Sequence, residues 1–345
     1  MRKLACFTFV VVLAAALFSG CHSAKGKTSQ EVSGRIVIYT SMYEDVIKSV
    51  REDLRKRFPD LSIDFVFGGT GALQAKIASE MAANKLGCDI LMVADPAYSL
   101  ELKEKGVLHP YISREAFNLA YEYDVPGYWY PVRISNMVLA YNPARNARNS
   151  VPNSFYEFAH DERVKGAVSM SNPVTSGTSM AAITALKDRY GYEYFDALSE
   201  QGVVIESGAV AVAKLETGER KVAMILEESI LKVRQEEKSN LEVIYPMDGA
   251  IIIPSAIMIV NNHWNANKNT LAAEAIVDWF LGVDGQNSIV NGWMRSVLRN
   301  FQRLPFDAAP IDEMRGGITT VNWDNVLSQK NEIQDKFEEM VIYKK

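Results

Sequence analysis

From Gly34 to Ala94 the chain alternates strand-like and helix-like segments, and that order admits few architectures. Residues 35–40 (RIVIYT) are a buried-strand run. Residues 44–58 set Val46, Ile47, Val50, Leu54 and Phe58 on one helical face, and Pro59 stops the helix. Residues 61–67 read as a second strand, 71–84 as a second helix and 89–94 as a third strand. Strand, helix, strand, helix, strand makes βαβ units, a parallel sheet and right-handed crossovers. In open α/β sheets ligands bind beyond the carboxyl ends of the strands. Two loops stand there, Ser41-Met42-Tyr43 and Gly68-Gly69-Thr70-Gly71.

A further strand is expected at 136–141, and then a second α/β series begins. Its short strands fall at 167–170, 203–206, 222–225 and 241–245, with helices between them. Strands follow at 251–253 and 256–260, an amphipathic helix at 271–281 and a charged helix at 323–342. Two such series predict two lobes with a cleft between them. A chain of 345 residues, 48% hydrophobic, has apolar material for both.

At the other end of the chain, Arg2 and Lys3 precede an apolar run at 5–18, too short to span a bilayer. Small residues follow, so residues 1–20 read as a secretory signal. Leu17-Phe18-Ser19-Gly20-Cys21 resembles a bacterial lipobox, which makes Cys21 the acylated N-terminus of a lipoprotein. Residues 21–33 are polar and aperiodic, a flexible tether holding a folded body near a membrane. Of three cysteines, this leaves Cys88 alone in the body, so no internal disulfide is expected. The net charge of −5 offers no basic footprint for nucleic acid.

The strongest local feature is the segment from Ser171 to Met180. It follows a strand and opens a helix over 181–190. The first backbone N–H groups of a helix lack internal partners, and the helix dipole favours negative charge there. Gly177 permits close approach, while Ser176, Thr178 and Ser179 supply hydroxyls. The simpler alternative is ordinary N-capping by Ser or Thr. Gly177-Thr178-Ser179-Met180-Ala181 also resembles the nucleophile motif of subtilisin-like proteases. That chemistry needs a histidine base, and none of the four histidines, His22, His109, His160 and His263, stands in the family's His-Gly-Thr context. There is no HExxH, no paired CxxC and no P-loop run. The adjacent pair Glu227-Glu228 follows a strand, either as solvated residues at a helix start or as partners of a cation or amine in the cleft.

Taken together, an ordered set of stretches resembles the extracellular solute-binding proteins of ABC importers, in the group containing ferric-ion, sugar-phosphate and aminoethylphosphonate binders. The matching residues are Ile36-Val37-Ile38-Tyr39-Thr40-Ser41, Cys88-Asp89-Ile90-Leu91 before Ala94-Asp95-Pro96, and Pro131-Val132-Arg133-Ile134-Ser135-Asn136. Asn172-Pro173 with Ser176-Gly177-Thr178 and Tyr245-Pro246-Met247-Asp248-Gly249 continue the set. It ends with Glu274-Ala275-Ile276-Val277-Asp278-Trp279-Phe280-Leu281 and Asp284-Gly285-Gln286.

The resemblance implies an α/β, type II periplasmic binding protein fold, two lobes joined by hinge strands around a ligand cleft. Lobe 1 would be 34–132 plus 250–305, and lobe 2 would be 133–249 plus 306–345, with the C-terminal tail packed back on lobe 2. It implies a phosphate-like anion held by Ser176, Gly177 and Thr178, with Thr40, Ser41 and Thr70 closing on it from lobe 1. Glu227 or Glu228 would meet an amine or sugar hydroxyl. The cargo is then an organophosphonate such as 2-aminoethylphosphonate, or a sugar phosphate. Iron binders of the group use consecutive tyrosines after the strand that here ends at Leu226, where this chain has Glu227-Glu228-Ser229. Tyr43 stands near their first-lobe ligand, so Fe(III) is the runner-up. The expected protein is not an enzyme, carries no cofactor or structural metal, and acts as a monomer. It sits in the periplasm or on the cell surface, partnered by a permease.

Overall fold

The computed structural model describes residues 32–344 apart from Ala266. The expected signal, Cys21 and the tether up to residue 31 lie outside the described residues. The chain begins β1 (Gly34–Thr40), α1 (Glu44–Arg57), β2 (Leu61–Phe67), α2 (Thr70–Ala82), β3 (Ile90–Val93), α3 (Pro96–Glu104), β4 (Leu108–His109) and β5 (Tyr130–Tyr141). It continues α4 (Phe155–His160), β6 (Val168–Met170), α5 (Gly177–Tyr190), α6 (Glu193–Glu200), β7 (Val204–Ile205), α7 (Gly208–Thr217), β8 (Val222–Leu226), α8 (Glu227–Glu237) and β9 (Glu242–Ile244). The last elements are β10 (Ala250–Val260), α9 (Thr270–Leu281), α10 (Val283–Asn291), β11 (Ile318–Thr320) and α11 (Trp323–Phe337).

The strands form one sheet in the order β2-β1-β3-β10-β5-β8-β6-β7, with β4 and β11 on β10 and β9 on β5. Two parallel triplets, β2-β1-β3 and β8-β6-β7, flank a central antiparallel pair, β10 with β5. Each triplet is the βαβ product expected from the sequence. The sheet as a whole is mixed, because β5 and β10 run antiparallel to the triplets they join.

Helices cover both faces of each half, which is why the strands read as continuous apolar runs. In β1, Ile36 and Ile38 face the core built with α1 and α9, while Val37 and Tyr39 face the core built with α2 and α3. In the other half, α4, α5, α6 and α11 cover one face, and α7 and α8 the other. Strands β5 and β10 serve both halves. Val132 and Ile134 of β5 enter the first core, and Met137, Leu139 and Tyr141 enter the second.

Several expectations need correction. The strand expected at 136–141 begins at Tyr130, and the two strands expected at 251–253 and 256–260 are one. A register shift between Ser255 and Ala256, next to Pro254, breaks the alternation of side chains that made them look separate. Helix α3 was not expected at all. Its start is set by Asp95, whose carboxylate accepts from the Tyr98 N–H, and by Pro96 in the first turn. The C-terminal helix ends at Phe337 and passes into a π-helical turn, Glu338–Ile342. It packs on the second half through Val326, Ile333 and Phe337, and it also reaches the first half. Lys330 Nζ lies 3.1 Å from Asp95 Oδ2 and 2.9 Å from Gln74 Oε1. Among the described residues no helix is long and apolar enough to cross a membrane.

Helix α10 turns onto the end of α9 at Gly285. A Cβ there would stand 2.2 Å from the Trp279 carbonyl oxygen and 2.6 Å from Phe280 Cα, both backbone atoms that cannot swing aside. Gly285→Ala is therefore expected to destabilise the protein by about 1–3 kcal/mol, the usual range for overpacking. A urea midpoint unchanged from the parent protein would refute that account.

Candidate ligand-binding cleft

All six strands of the two parallel triplets end at one cavity of about 470 Å³. Ser41 and Tyr43 follow β1; Gly69 and Thr70 follow β2; Ala94 follows β3. From the other half come the Ser171–Thr178 loop after β6, Glu206 and Ser207 after β7, and Glu228 after β8. Arg133 and Ser135 line the cavity from the middle of β5. Five helices, α1, α2, α5, α7 and α8, begin at this rim. Three of them, α1, α2 and α8, have no side-chain cap on their first N–H groups. Their dipoles add positive potential at the cavity.

The halves meet at the mouth of this cavity. The Gly71 N–H donates to the Thr175 carbonyl at 3.3 Å. A Cβ on Gly177 would stand 2.8 Å from the Ala94 oxygen and 2.8 Å from Thr70 Cγ2. Gly177 thus permits a close approach of the two halves, at Ala94 and Thr70. Ser176 does what the simpler alternative required, since its hydroxyl accepts from the Ser179 N–H at 3.2 Å. It also lies 3.1 Å from the Thr178 hydroxyl, and both line the cavity. Asn172 shapes the loop by accepting from the Val174 N–H at 2.9 Å.

The structure separates the remaining expected residues. Ser41, Tyr43, Thr70, Ser176, Gly177, Thr178 and Glu228 line the cavity together. Thr40 does not; it is fully buried, and its hydroxyl accepts from the Met42 N–H at 3.1 Å, which shapes the Ser41 turn. Glu227 does not line it either. Arg295 grips that carboxylate with Nε at 2.8 Å and Nη2 at 2.7 Å, and the Tyr245 hydroxyl donates to it at 2.5 Å. Consecutive residues in a helix point about 100° apart, so Glu227 turns into the protein and Glu228 into the cleft. Ser179, the serine of the protease-like motif, is buried. Elsewhere His109 sits at 3.2 Å from Glu274, and His160 at 2.8 Å from the Tyr156 carbonyl.

Arg133 lies in one of the stretches that carry the resemblance and is not among the expected site residues. Its side chain is 3% exposed. Nη2 donates to the Ser41 hydroxyl at 3.2 Å, and Nη1 lies 2.9 Å from the Met294 sulfur, a weak acceptor. Its Nε has no hydrogen-bond partner among the described residues. Burial pushes the guanidinium below its ordinary pKa, and the charge of Glu228 and then that of Tyr43 pull the other way. A buried guanidinium with no carboxylate bonded to it is expensive to leave unmatched. The other acid at the rim, Glu206, is balanced by Lys214 at 3.2 Å and Arg220 at 3.4 Å.

This chain matches the family model of the bacterial extracellular solute-binding proteins over residues 88–325, more than half of its length. The chain belongs to that family. Its members are the solute-capturing components that serve ABC importers, a class that binds and hands over rather than transforms. An uncharacterised protein of Haemophilus influenzae is 23% identical over 272 residues, 75% of this chain and 76% of that one. The periplasmic binding protein AfuA of Actinobacillus pleuropneumoniae, solved with fructose 6-phosphate, superposes with a TM-score of 0.77 at 19% identity, covering 90% of this chain and 99% of that one. Iron-bound HitA of Pseudomonas aeruginosa superposes at 0.75 with 17% identity, covering 89% and 99%. At these identities the likeness shows the fold: a type II periplasmic binding protein.

In this solute-binding protein, burial lifts the Glu228 carboxyl to about 7, although the Ser135 hydroxyl, donating at 2.7 Å, and the Arg133 charge pull it down. The folded state then holds a proton that an ordinary carboxyl near 4.5 releases on unfolding. Its contribution to stability is present below about pH 4.5 and is lost as the pH rises towards 7. Glu228→Gln is expected to flatten that part of the stability profile and to raise the melting temperature of the ligand-free protein at pH 8. Thermal melts at pH 5 and pH 8 test this, and parallel profiles for the two proteins would contradict it.

Proposed function

We propose that this protein captures a small solute bearing a phosphate or phosphonate group and delivers it to the permease of an ABC importer. The single observation that carries the reading is Arg133, buried at the centre of the cleft without a bonded carboxylate. A guanidinium there recognises a tetrahedral oxyanion with paired N–H donors. Ser41 and Thr70 lie on one side of it, and Ser176, Gly177 and Thr178 at the start of α5 on the other. Glu228 is the partner for an amine or hydroxyl elsewhere on the cargo. On these grounds 2-aminoethylphosphonate and sugar phosphates are the reference ligands, and the fructose 6-phosphate bound by AfuA is a precedent on the same fold.

The same reading assigns residues 34–132 with 250–305 to one lobe and 133–249 with 306–345 to the other. They hinge about β5 and β10 and close on the cargo. Cys21 is the lipid attachment point, residues 21–33 are the tether, and the protein works as a monomer on the outer side of a membrane.

Fe(III) is the second reading, favoured by the iron-bound neighbour HitA. Its ligand set is thin. With Glu227 held by Arg295, Tyr43 and Glu228 are what remain of the tyrosine and carboxylates expected for a hard cation. Among the described residues no cluster of three or more His, Cys, Asp or Glu is arranged for a metal. The Arg133 charge beside them also opposes a trivalent cation.

Removing one partner of a buried charge pair at a binding site costs about 2–5 kcal/mol. Arg133→Ala is therefore expected to weaken capture of 2-aminoethylphosphonate or glucose 6-phosphate by about 100-fold, with Arg133→Lys intermediate. Titration calorimetry measures both. Undiminished affinity in Arg133→Ala, or heat from the parent protein with Fe(III) alone, would overturn the proposal.

A further inference from the structure

The cleft does not end at the anion site. A second cavity, of about 500 Å³, lies beyond Tyr43, Phe67, Gly208 and Glu228, and these four residues line both compartments. The pair of compartments reaches the upper part of the roughly 300–1,000 Å³ that small-molecule sites occupy. Inorganic phosphate has nothing to place in the second one.

The lining of that second compartment has its own chemistry. Tyr43 and Phe67 are 38% and 45% exposed, so two aromatic faces stand open at the neck. Trp293 forms part of the far wall, its indole N–H fixed by Gln235 at 2.7 Å. Val212 and Ala213 of α7 line it from the side. The polar lining is acidic: Glu44, Glu216 and Glu237 face this space, and the one lysine there, Lys232, is already bonded to Asp45. Charge therefore reverses along the cleft. Its inner end offers an unmatched guanidinium, and its outer end offers carboxylates around aromatic surface. Aromatic faces and carboxylates together favour an organic cation.

We infer that the cargo is an organic phosphate or phosphonate whose anionic head meets Arg133 while an apolar or aromatic body passes between Tyr43 and Phe67 and carries an amine or cationic ring into the second compartment. The inference rests on the anion-capture reading above and narrows its ligand class. The short 2-aminoethyl chain and sugar phosphates, whose sugar carries no positive charge, then become weak surrogates.

The test compares two probes that share a head and a ring. Phosphotyramine is an aryl phosphate with an aminoethyl group, and phenyl phosphate lacks the amine. Titration calorimetry of the purified protein is expected to give phosphotyramine an advantage of about fivefold, the upper end for a partly exposed charge pair. The double variant Glu216→Gln with Glu237→Gln is expected to bring the ratio close to one while phenyl phosphate affinity stays the same. Ala213→Trp, at an exposed position, is expected to obstruct the compartment and weaken phosphotyramine more than phenyl phosphate, with the melting temperature confirming an intact fold. Equal affinities in the parent protein, or a ratio that survives both variants, overturn the two-compartment ligand and leave anion capture standing. Failure of the parent protein to bind either probe, inorganic phosphate or 2-aminoethylphosphonate overturns the anion reading itself.

Discussion

The antiparallel pairing of β5 with β10 is the constraint on which everything else depends. The two strands are hydrogen-bonded from Ile251 with Met137 to Ile257 with Tyr130, and each feeds side chains into the cores of both halves. Each half is a parallel triplet that needs helices on both faces, and neither triplet touches the other directly. The pair therefore fixes how the carboxyl ends of six strands converge. The bulge at Ser255 and Ala256 lets one strand alternate correctly against two different cores.

Arg133 stands on this pair, between the halves, and its position explains its chemistry. A side chain there is buried under Ser41 and Met294, so its charge is desolvated. The surrounding positive potential comes from helix starts, which the βαβ order places at the same rim. The protein thus holds a buried guanidinium with no carboxylate bonded to it, and on the anion-capture proposal an entering anion would relieve that electrostatic penalty. Contacts across the mouth, Gly71 to Thr175 and Lys330 to Asp95, hold the halves together around that point.

Local order was legible in the sequence; long-range pairing was not. The first five elements and the loops after β1 and β2 follow from periodicity and turn chemistry, whereas α5 opens at Gly177, ahead of the helix expected over 181–190. Helix α3 carries a legible start in Asp95-Pro96, but its mixed faces hide its period. Strand β5 was cut short because Pro131 and Arg133 do not look like buried strand residues. Thr40 reads as a ligand group in sequence because its bond to the Met42 N–H depends on the turn that follows. Arg133 carried no local signal for a site. An arginine in a strand usually reads as solvent-facing, and what buries it comes from Ser41 and Met294, far away in the chain.

The pair Glu227-Glu228 shows how far such assignments turn on remote partners. Both residues open the same helix and look equivalent in sequence. Arg295, Tyr245 and Asn136 converge on the first and make it part of the frame behind the cleft. The second meets the Ser135 hydroxyl and remains in the lining. One carboxylate is gripped by the buried Arg295 guanidinium through two hydrogen bonds. The other lies beside Arg133, and burial lifts its carboxyl to about 7. One helix start thus supplies one carboxylate to the frame behind the cleft and the next to its lining.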